Sequence, residues 1–325
     1  MKATANAPAN IAFIKYWGKR DAVLNLPVNG SVSMNLSKFL TTTTVQFSQL
    51  KQDEIQLDGR VAAAEVRERI VRHLDRIRKI AGTTLRARVV SKNTFPTGVG
   101  VASSASGFAA LTLAATRALG LRLSERRLSI LARKGSGSAC RSVPDGIVEW
   151  VAGEKDEDSY AYSLHSPGFW AIHDVVVLVS TQSKKVGSTA GHGLAQTSPF
   201  FRARLRALPR KLSFLQRALE RRDFRTFGTI VEEEAFNMHA VMMTSVPPLL
   251  YWEPETLAVM HRVFQLRDEG LEAYVTLDAG PSVHVVCQEK DSDVFVRKLQ
   301  SVKGVMDVID NTPTIGARLV NRHLF

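Results

Sequence analysis

A run of small residues, P-T-G-V-G-V-A-S-S-A-S-G from Pro96 to Gly107, constrains this chain more than any other segment. Its three glycines and three serines lie between a strand-like pattern at Ala87–Val90 and an alanine- and serine-rich helical stretch, Ser103–Leu119. Glycine lets a backbone come close to an anion, and a helix N-terminus offers unpaired amides at the positive end of its dipole. The junction therefore predicts a turn that wraps a phosphate, a nucleotide's in the first instance. A tight turn into a closely packed helix is the plainer alternative. The spacing matches neither the Walker A loop, which ends in G-K-[ST], nor the Rossmann G-x-G-x-x-G.

Strand and helix patterns alternate around this junction. Thr41–Phe47 and Leu85–Val90 carry branched residues in extended patterns, and Ala62–Ile80 places Val66, Ile70, Leu74 and Ile77 on one helical stripe. Ser124 is a fitting N-cap for a helix running to Arg133, with Glu125 in its first turn. Strand signals return at Trp170–Ser180, helices at 204–220, 226–243 and 257–267, and mixed signals follow from Ala273 to Ile309. With 325 residues, this mixture predicts two α+β lobes, residues 1–185 and 186–325, rather than a Rossmann fold or a barrel.

The charge balance, 43 basic against 31 acidic residues for a net +12, favours anionic partners without saying which. The basic clusters Arg67–Lys79 and Arg204–Arg222 contain apolar residues at helical spacing and read as solvated helix faces. No ladder of aromatics accompanies them, which argues against a single-stranded nucleic acid as partner. Cys140 and Cys287 are too few for a disulfide framework and have no metal-ligand spacing. The apolar stretches, such as Ala171–Val179 with Asp174 inside it, are shorter than the roughly 20 residues that span a bilayer. The amino end lacks the apolar core of a signal peptide. A cytoplasmic protein without membrane association is expected.

Three further segments carry groups suited to anion chemistry. G-S-G-S-A-C-R-S, Gly135–Ser142, joins flexible backbone and hydroxyl donors to Arg141, whose guanidinium fork suits a carboxylate or phosphate, with Ser138 nearby. N-I-A-F-I-K-Y-W-G-K-R-D, Asn10–Asp21, interleaves apolar anchors with Lys15, Tyr16, Lys19 and Arg20, as a phosphate-lined cleft would require. T-L-D-A-G-P, Thr276–Pro281, puts Asp278 at a strand end beside a glycine turn. A carboxylate held there can orient a substrate hydroxyl or accept its proton. Each segment taken alone also admits a structural reading: a helix-to-loop transition, core aromatics with solvated cations, or a turn cap.

Taken in order, these runs resemble the successive motifs of the mevalonate diphosphate decarboxylases, within the GHMP kinase superfamily. L-N-L-P (Leu24–Pro27), F-P-T-G-V-G-V-A-S-S-A-S-G-F-A-A (Phe95–Ala110) and M-H-A (Met238–Ala240) complete the series. The resemblance implies a GHMP kinase-like two-lobed fold, with a ribosomal-protein-S5-like N-terminal domain and a ferredoxin-like C-terminal domain. It also implies ATP and Mg²⁺, a phosphorylated mevalonate as substrate, and a homodimer. Carried over by residue, Asp278 matches the catalytic aspartate, Arg141 the arginine on the substrate carboxylate, and Lys15 the lysine beside the aspartate. Tyr16, Lys19, Ser138, Thr189 and His192 fall on the substrate side. Gly98, Gly100, Ala102, Ser103, Ser104 and Ser106 fall on the ATP-phosphate loop. No residue is assigned to the metal.

Several departures bear on the substrate. His192 stands where many members of the family have methionine, Ser282 stands where asparagine is usual, and S-V-P-D-G-I-V-E-W (Ser142–Trp150) replaces the frequent aromatic-Gly-Gly form. His192, the S-V-P turn, the acidic run G-E-K-D-E-D-S-Y-A (Gly153–Ala161) and Y-W-E-P (Tyr251–Pro254) resemble a bacterial branch associated with 5-phosphomevalonate. The resulting expectation is ATP-dependent decarboxylation of (R)-5-phosphomevalonate to isopentenyl phosphate, ADP, phosphate and CO₂. The alternative is the 5-diphosphate as substrate and isopentenyl diphosphate as product, for which the retained Lys19 leaves room. A small-molecule kinase that releases no CO₂, and a phosphate-responsive binding module, are lesser alternatives.

Overall fold

The structure is a computed structural model that describes residues 1–95, 103–180 and 186–325. Its larger sheet is built on two long antiparallel strands, Lys2–Ile14 and Ser31–Ser48. The second of these is long enough to serve two neighbours: its later half pairs with Arg86–Asn93 and its beginning with Ile147–Trp150. Helices Ala64–Ala81, Ser103–Ala118 and Glu125–Gly135 cover this sheet through one cluster that includes Leu74, Ile77, Ala109, Ala114 and Leu131. The alanines of the central helix let it lie close against the strands. Val66, expected on the buried stripe of the first helix, is instead exposed at 42%.

The second sheet has four strands in the order Ala273–Thr276, Val283–Gln288, Ile172–Leu178, Asp307–Asn311, all antiparallel. With helices Pro254–Asp268 and Glu289–Gln300 as its two crossovers, this is the split βαβ arrangement of a ferredoxin-like fold. Helices Phe201–Arg221 and Phe224–Met243 are inserted ahead of the first crossover. The strand Ile172–Leu178 is buried along its whole length, and alternation along it explains why. Val175 and Val177 join the core beneath the crossover helices, while Val176 and Leu178 join a core shared with the first sheet and the inserted helices.

Sheet membership does not follow the division at residue 185. Ile172–Leu178 precedes that point yet belongs to the second sheet, and Arg318–Val320 follows it yet pairs with the first strand. The shared core, with Phe13, Met34, Val176, Leu208 and Phe227 all buried in it, binds the two lobes together. Among the described residues no helix is long and apolar enough to cross a membrane.

Candidate active site

The register between the two long strands shifts twice, between Pro8 and Asn10 and again between Ala12 and Ile14. Such irregularities bend a strand and re-aim its side chains. After the first shift Asn10 points at the loop of Gly137–Ser142, and after the second the chain leaves the sheet at Lys15. The Asn10 amide donates to the Ser142 hydroxyl at 2.8 Å and to the Ser138 carbonyl at 3.2 Å. Its oxygen accepts from Arg141 through Nε at 3.1 Å and Nη2 at 3.0 Å, and Arg141 Nη1 donates to the Ser31 hydroxyl at 3.0 Å. Arg141 is buried. Among the described residues no carboxylate forms an ion pair with it, so its charge is held by neutral acceptors.

Lys15 and Asp278 meet across the lobes, Nζ to Oδ1 at 2.8 Å, with Lys15 1% and the Asp278 side chain 24% exposed. Asp278 follows the strand Ala273–Thr276, so the second sheet supplies the carboxylate and the first sheet the ammonium. Burial alone would raise the Asp278 carboxyl. The charge and hydrogen bond of Lys15, aided by His284 and Arg141, hold it below the ordinary aspartate range. Burial lowers the Lys15 ammonium, and Asp278 and Glu234 oppose that shift.

His192 lies between two aromatic rings, 4.2 Å from Tyr16 and 4.6 Å from Trp17 by centroids. The Gly18 amide donates to its Nδ1 at 3.0 Å, which puts the proton of the neutral ring on Nε2. Burial, with Lys19, Arg141 and Arg204 around it, keeps the ring well below the usual histidine range. Tyr16 packs beneath Gly137 so closely that a Cβ there would come within 2.7 Å of the phenol ring, so this loop position requires glycine. Lys19 donates to the Asn25 side chain at 2.7 Å.

Lys15, Tyr16, Lys19, Ser138, Arg141, Thr189, His192 and Asp278, gathered from distant parts of the sequence, all line one cleft of about 560 Å³. Arg69, Arg72, Arg76 and Lys134 line it too. The expectation that the Arg67–Lys79 cluster is a solvated face is therefore corrected. The helix directs Arg69 and Arg76 at the C-terminal end of the helix Glu125–Gly135, where they donate to the Gly135 and Lys134 carbonyls at 3.0 and 2.6 Å. Arg78 from the same cluster is buried in an ion pair with Asp53. Arg204, from the second cluster, is buried as well.

A second cleft, about 820 Å³, adjoins the first: Arg69, Ser103 and Ser104 line both. Thr41, Asn93, Phe95 and Phe108 line it as well. Ser106 is brought to neither cleft; it is fully buried, bonded to the Thr41 hydroxyl at 2.6 Å and the Ser103 carbonyl at 3.2 Å. Gly98, Gly100 and Ala102 lie outside the described residues. Among the described residues no group of three His, Cys, Asp or Glu side chains could hold a metal ion. Sequence reasoning missed Asn10, Asn25 and the helix arginines.

Two joined clefts, one walled by cations around a Lys–Asp pair and one meeting it at a serine-lined helix start, define a phosphoryl-handling enzyme. The comparisons agree. Residues 7–161 match the diphosphomevalonate decarboxylase-like N-terminal domain and residues 174–318 the mevalonate 5-diphosphate decarboxylase C-terminal domain. Diphosphomevalonate decarboxylase mvd1 of Aspergillus fumigatus is 36% identical, with 93% of this chain and 81% of that protein aligned. The crystal structure of mevalonate diphosphate decarboxylase from Staphylococcus aureus is 38% identical with a TM-score of 0.93, covering 98% of each chain. The enzyme abbreviated MDDEF, in complex with MVAPP, AMPPCP and magnesium, is 36% identical with a TM-score of 0.93, covering 98% of this chain and 99% of that one. The chain belongs to the diphosphomevalonate decarboxylase family, an ATP-dependent group of decarboxylases with a GHMP kinase-like fold.

Proposed function

We propose that this protein converts (R)-5-diphosphomevalonate and ATP to isopentenyl diphosphate, ADP, phosphate and CO₂. The observation that carries the second phosphate is the cationic wall. Lys19, Arg69, Arg72, Arg76 and Lys134 line the cleft that also contains Arg141 and Asp278; although Lys134 pairs with Asp156 and Arg72 lies 3.8 Å from Glu68, these are more cations than one phosphate requires. The curated relatives are named for the diphosphate substrate. Both considerations favour the diphosphate over the monophosphate expected from His192, the S-V-P turn and the Gly153–Ala161 and Tyr251–Pro254 runs.

In this reading the substrate carboxylate rests on Arg141, which Asn10 and Ser31 hold in place. Asp278, ionised beside Lys15, orients the tertiary hydroxyl and takes its proton as the γ-phosphoryl group arrives. Lys15 offsets the charge that gathers on the transferring group. Phosphorylation turns a poor leaving group into phosphate; as it departs, the carboxylate C–C bond supplies the electrons of the new alkene and CO₂ is released. ATP would lie in the second cleft, with its phosphates at Ser103 and Ser104, where the two clefts meet. Mg²⁺ binds few protein ligands and keeps substrate oxygens and waters, so the hydroxyls of Ser103 and Ser104, where the two clefts meet, would hold it beside the ATP phosphates. When bound, it supplies charge neutralisation between the phosphates.

Product analysis tests the proposal. Equal yields of ADP, phosphate, CO₂ and isopentenyl diphosphate are expected. ADP accompanied by a stable 3-phosphorylated acid and no CO₂ would make the protein a kinase.

A further inference from the structure

Beneath Lys15 lies a buried ion pair that the reaction scheme leaves without a role. Arg204, in the first turn of the helix Phe201–Arg221, donates through Nη2 both to Glu234 and to the Lys15 carbonyl, the latter at 2.9 Å. Arg204 is 5% exposed and Glu234 is fully buried. Lys15 lies one residue beyond the end of its strand, so its carbonyl has no place in the sheet ladder. The Asn29 side-chain amide donates to the same carbonyl at 2.9 Å. The backbone that carries the Lys15 ammonium is thus gripped by two side chains, one of them charged.

The pair is poorly satisfied for a purely structural device. Among the described residues Arg204 Nε and Nη1 have no hydrogen-bond partner, and neither does Glu234 Oε2, although the Lys211 ammonium is 3.5 Å from it. Buried charges left part-paired cost stability, and an apolar pair of similar volume often does as well or better. Such costs are tolerated most often where geometry serves function.

We infer that Arg204 and Glu234 are positioning residues for Lys15: Arg204 fixes its backbone, and Glu234 neutralises Arg204 while adding a second carboxylate field at the ammonium. The inference rests on the catalytic reading of Lys15. The charged and titratable groups around that ammonium are Asp278, Arg141, Glu234 and His239. Burial, with Lys15 beside it, pushes His239 down to about 3, so that ring stays neutral and does not change charge where Lys15 titrates.

The test replaces the pair by an apolar one, Arg204→Met with Glu234→Met, and measures melting temperature, kcat and both KM values. Positioning predicts a melting temperature equal to or above the parent's, kcat lower by about tenfold or more, and KM values within about twofold, since small misplacement of a catalytic group lowers turnover steeply. A well-folded double variant with parental kcat would overturn the inference. Glu234→Gln, which keeps an acceptor for Arg204, provides the second arm. Losing that carboxylate leaves Arg204 unneutralised and should lower kcat while both KM values and the melting temperature stay near the parent's; a parental kcat in this variant would also overturn the inference. Lys15→Ala is assayed alongside. If it retains full activity, the catalytic reading falls and this inference falls with it; if it is inactive while the double variant is not, only the positioning claim fails.

Discussion

Arg141 lays its guanidinium against the amide oxygen of Asn10, with Nε at 3.1 Å and Nη2 at 3.0 Å. A neutral partner fixes the direction of the cation without cancelling its charge. Arg141→Lys cannot keep the contacts to both Asn10 and Ser31, and a fall in kcat/KM of roughly a hundredfold is expected, comparable to losing a preorganised donor. Asn10→Asp tests the same idea from the other side. A carboxylate there would pair with Arg141, and steady-state kinetics should show a raised KM for the substrate acid; an unchanged KM would mean that Arg141 does not hold the carboxylate.

Asp278→Asn keeps the size of the side chain and removes its charge. Turnover should fall by about 10²- to 10⁴-fold, the range of general acid–base contributions, with kcat and kcat/KM lowered together. Substrate affinity measured by calorimetry should change little. Parental kinetics in this variant would remove Asp278 from the reaction.

The pH dependence follows from the Lys15–Asp278 pair. The Asp278 carboxyl is held below its ordinary range, so the ionised form that the proposed mechanism requires persists to low pH and is lost only as pH falls through that lowered value. Removing the cation with Lys15→Met should move the acidic limb of the residual kcat profile upward. A limb that stays in place would mean that the limb reports another group.

His192 is expected to remain neutral, protonated on Nε2, across the physiological range. Its ring resonances should show no titration between about pH 5 and 8 in nitrogen-resolved spectra, the interval in which an ordinary histidine changes charge. His192→Met removes the acceptor of the Gly18 amide. The ratio of kcat/KM for the 5-diphosphate to that for the 5-monophosphate should change if this ring contributes to selectivity; a constant ratio would assign it to packing between Tyr16 and Trp17.

The site was legible in the sequence where residue types were unusual for their surroundings. Lys15, Arg141 and Asp278 stand in short motifs of glycine, serine and apolar anchors, and the cleft brings all three together. The helix arginines were not legible. Arg69, Arg72 and Arg76 occupy the polar face of an amphipathic helix, and that pattern is the same whether the face meets solvent or a cleft; only the packing of Lys134–Gly135 against it decides. Arg204 was hidden for the same reason. Asn10 did leave a signal, a lone amide among the buried apolar residues Ala9, Ile11 and Phe13, where an unpaired polar group would be costly. In the fold, the place of Ile172–Leu178 in the second sheet depends on pairings with strands more than a hundred residues away, which local periodicity does not encode.

The cationic wall gives a separate prediction. Arg72→Ala and Arg76→Ala should raise KM for the diphosphate more than for the monophosphate, because the terminal phosphate brings the greater demand for donors. Equal effects on both substrates would place these arginines on the phosphate that the two share.

The choice of substrate is decided by measuring CO₂ release in parallel from (R)-5-diphosphomevalonate and (R)-5-phosphomevalonate at saturating ATP and Mg²⁺. The higher kcat/KM is expected for the diphosphate, with one CO₂ per ADP formed. A higher kcat/KM for the monophosphate, or ADP formation without CO₂ from either acid, would contradict the proposed function.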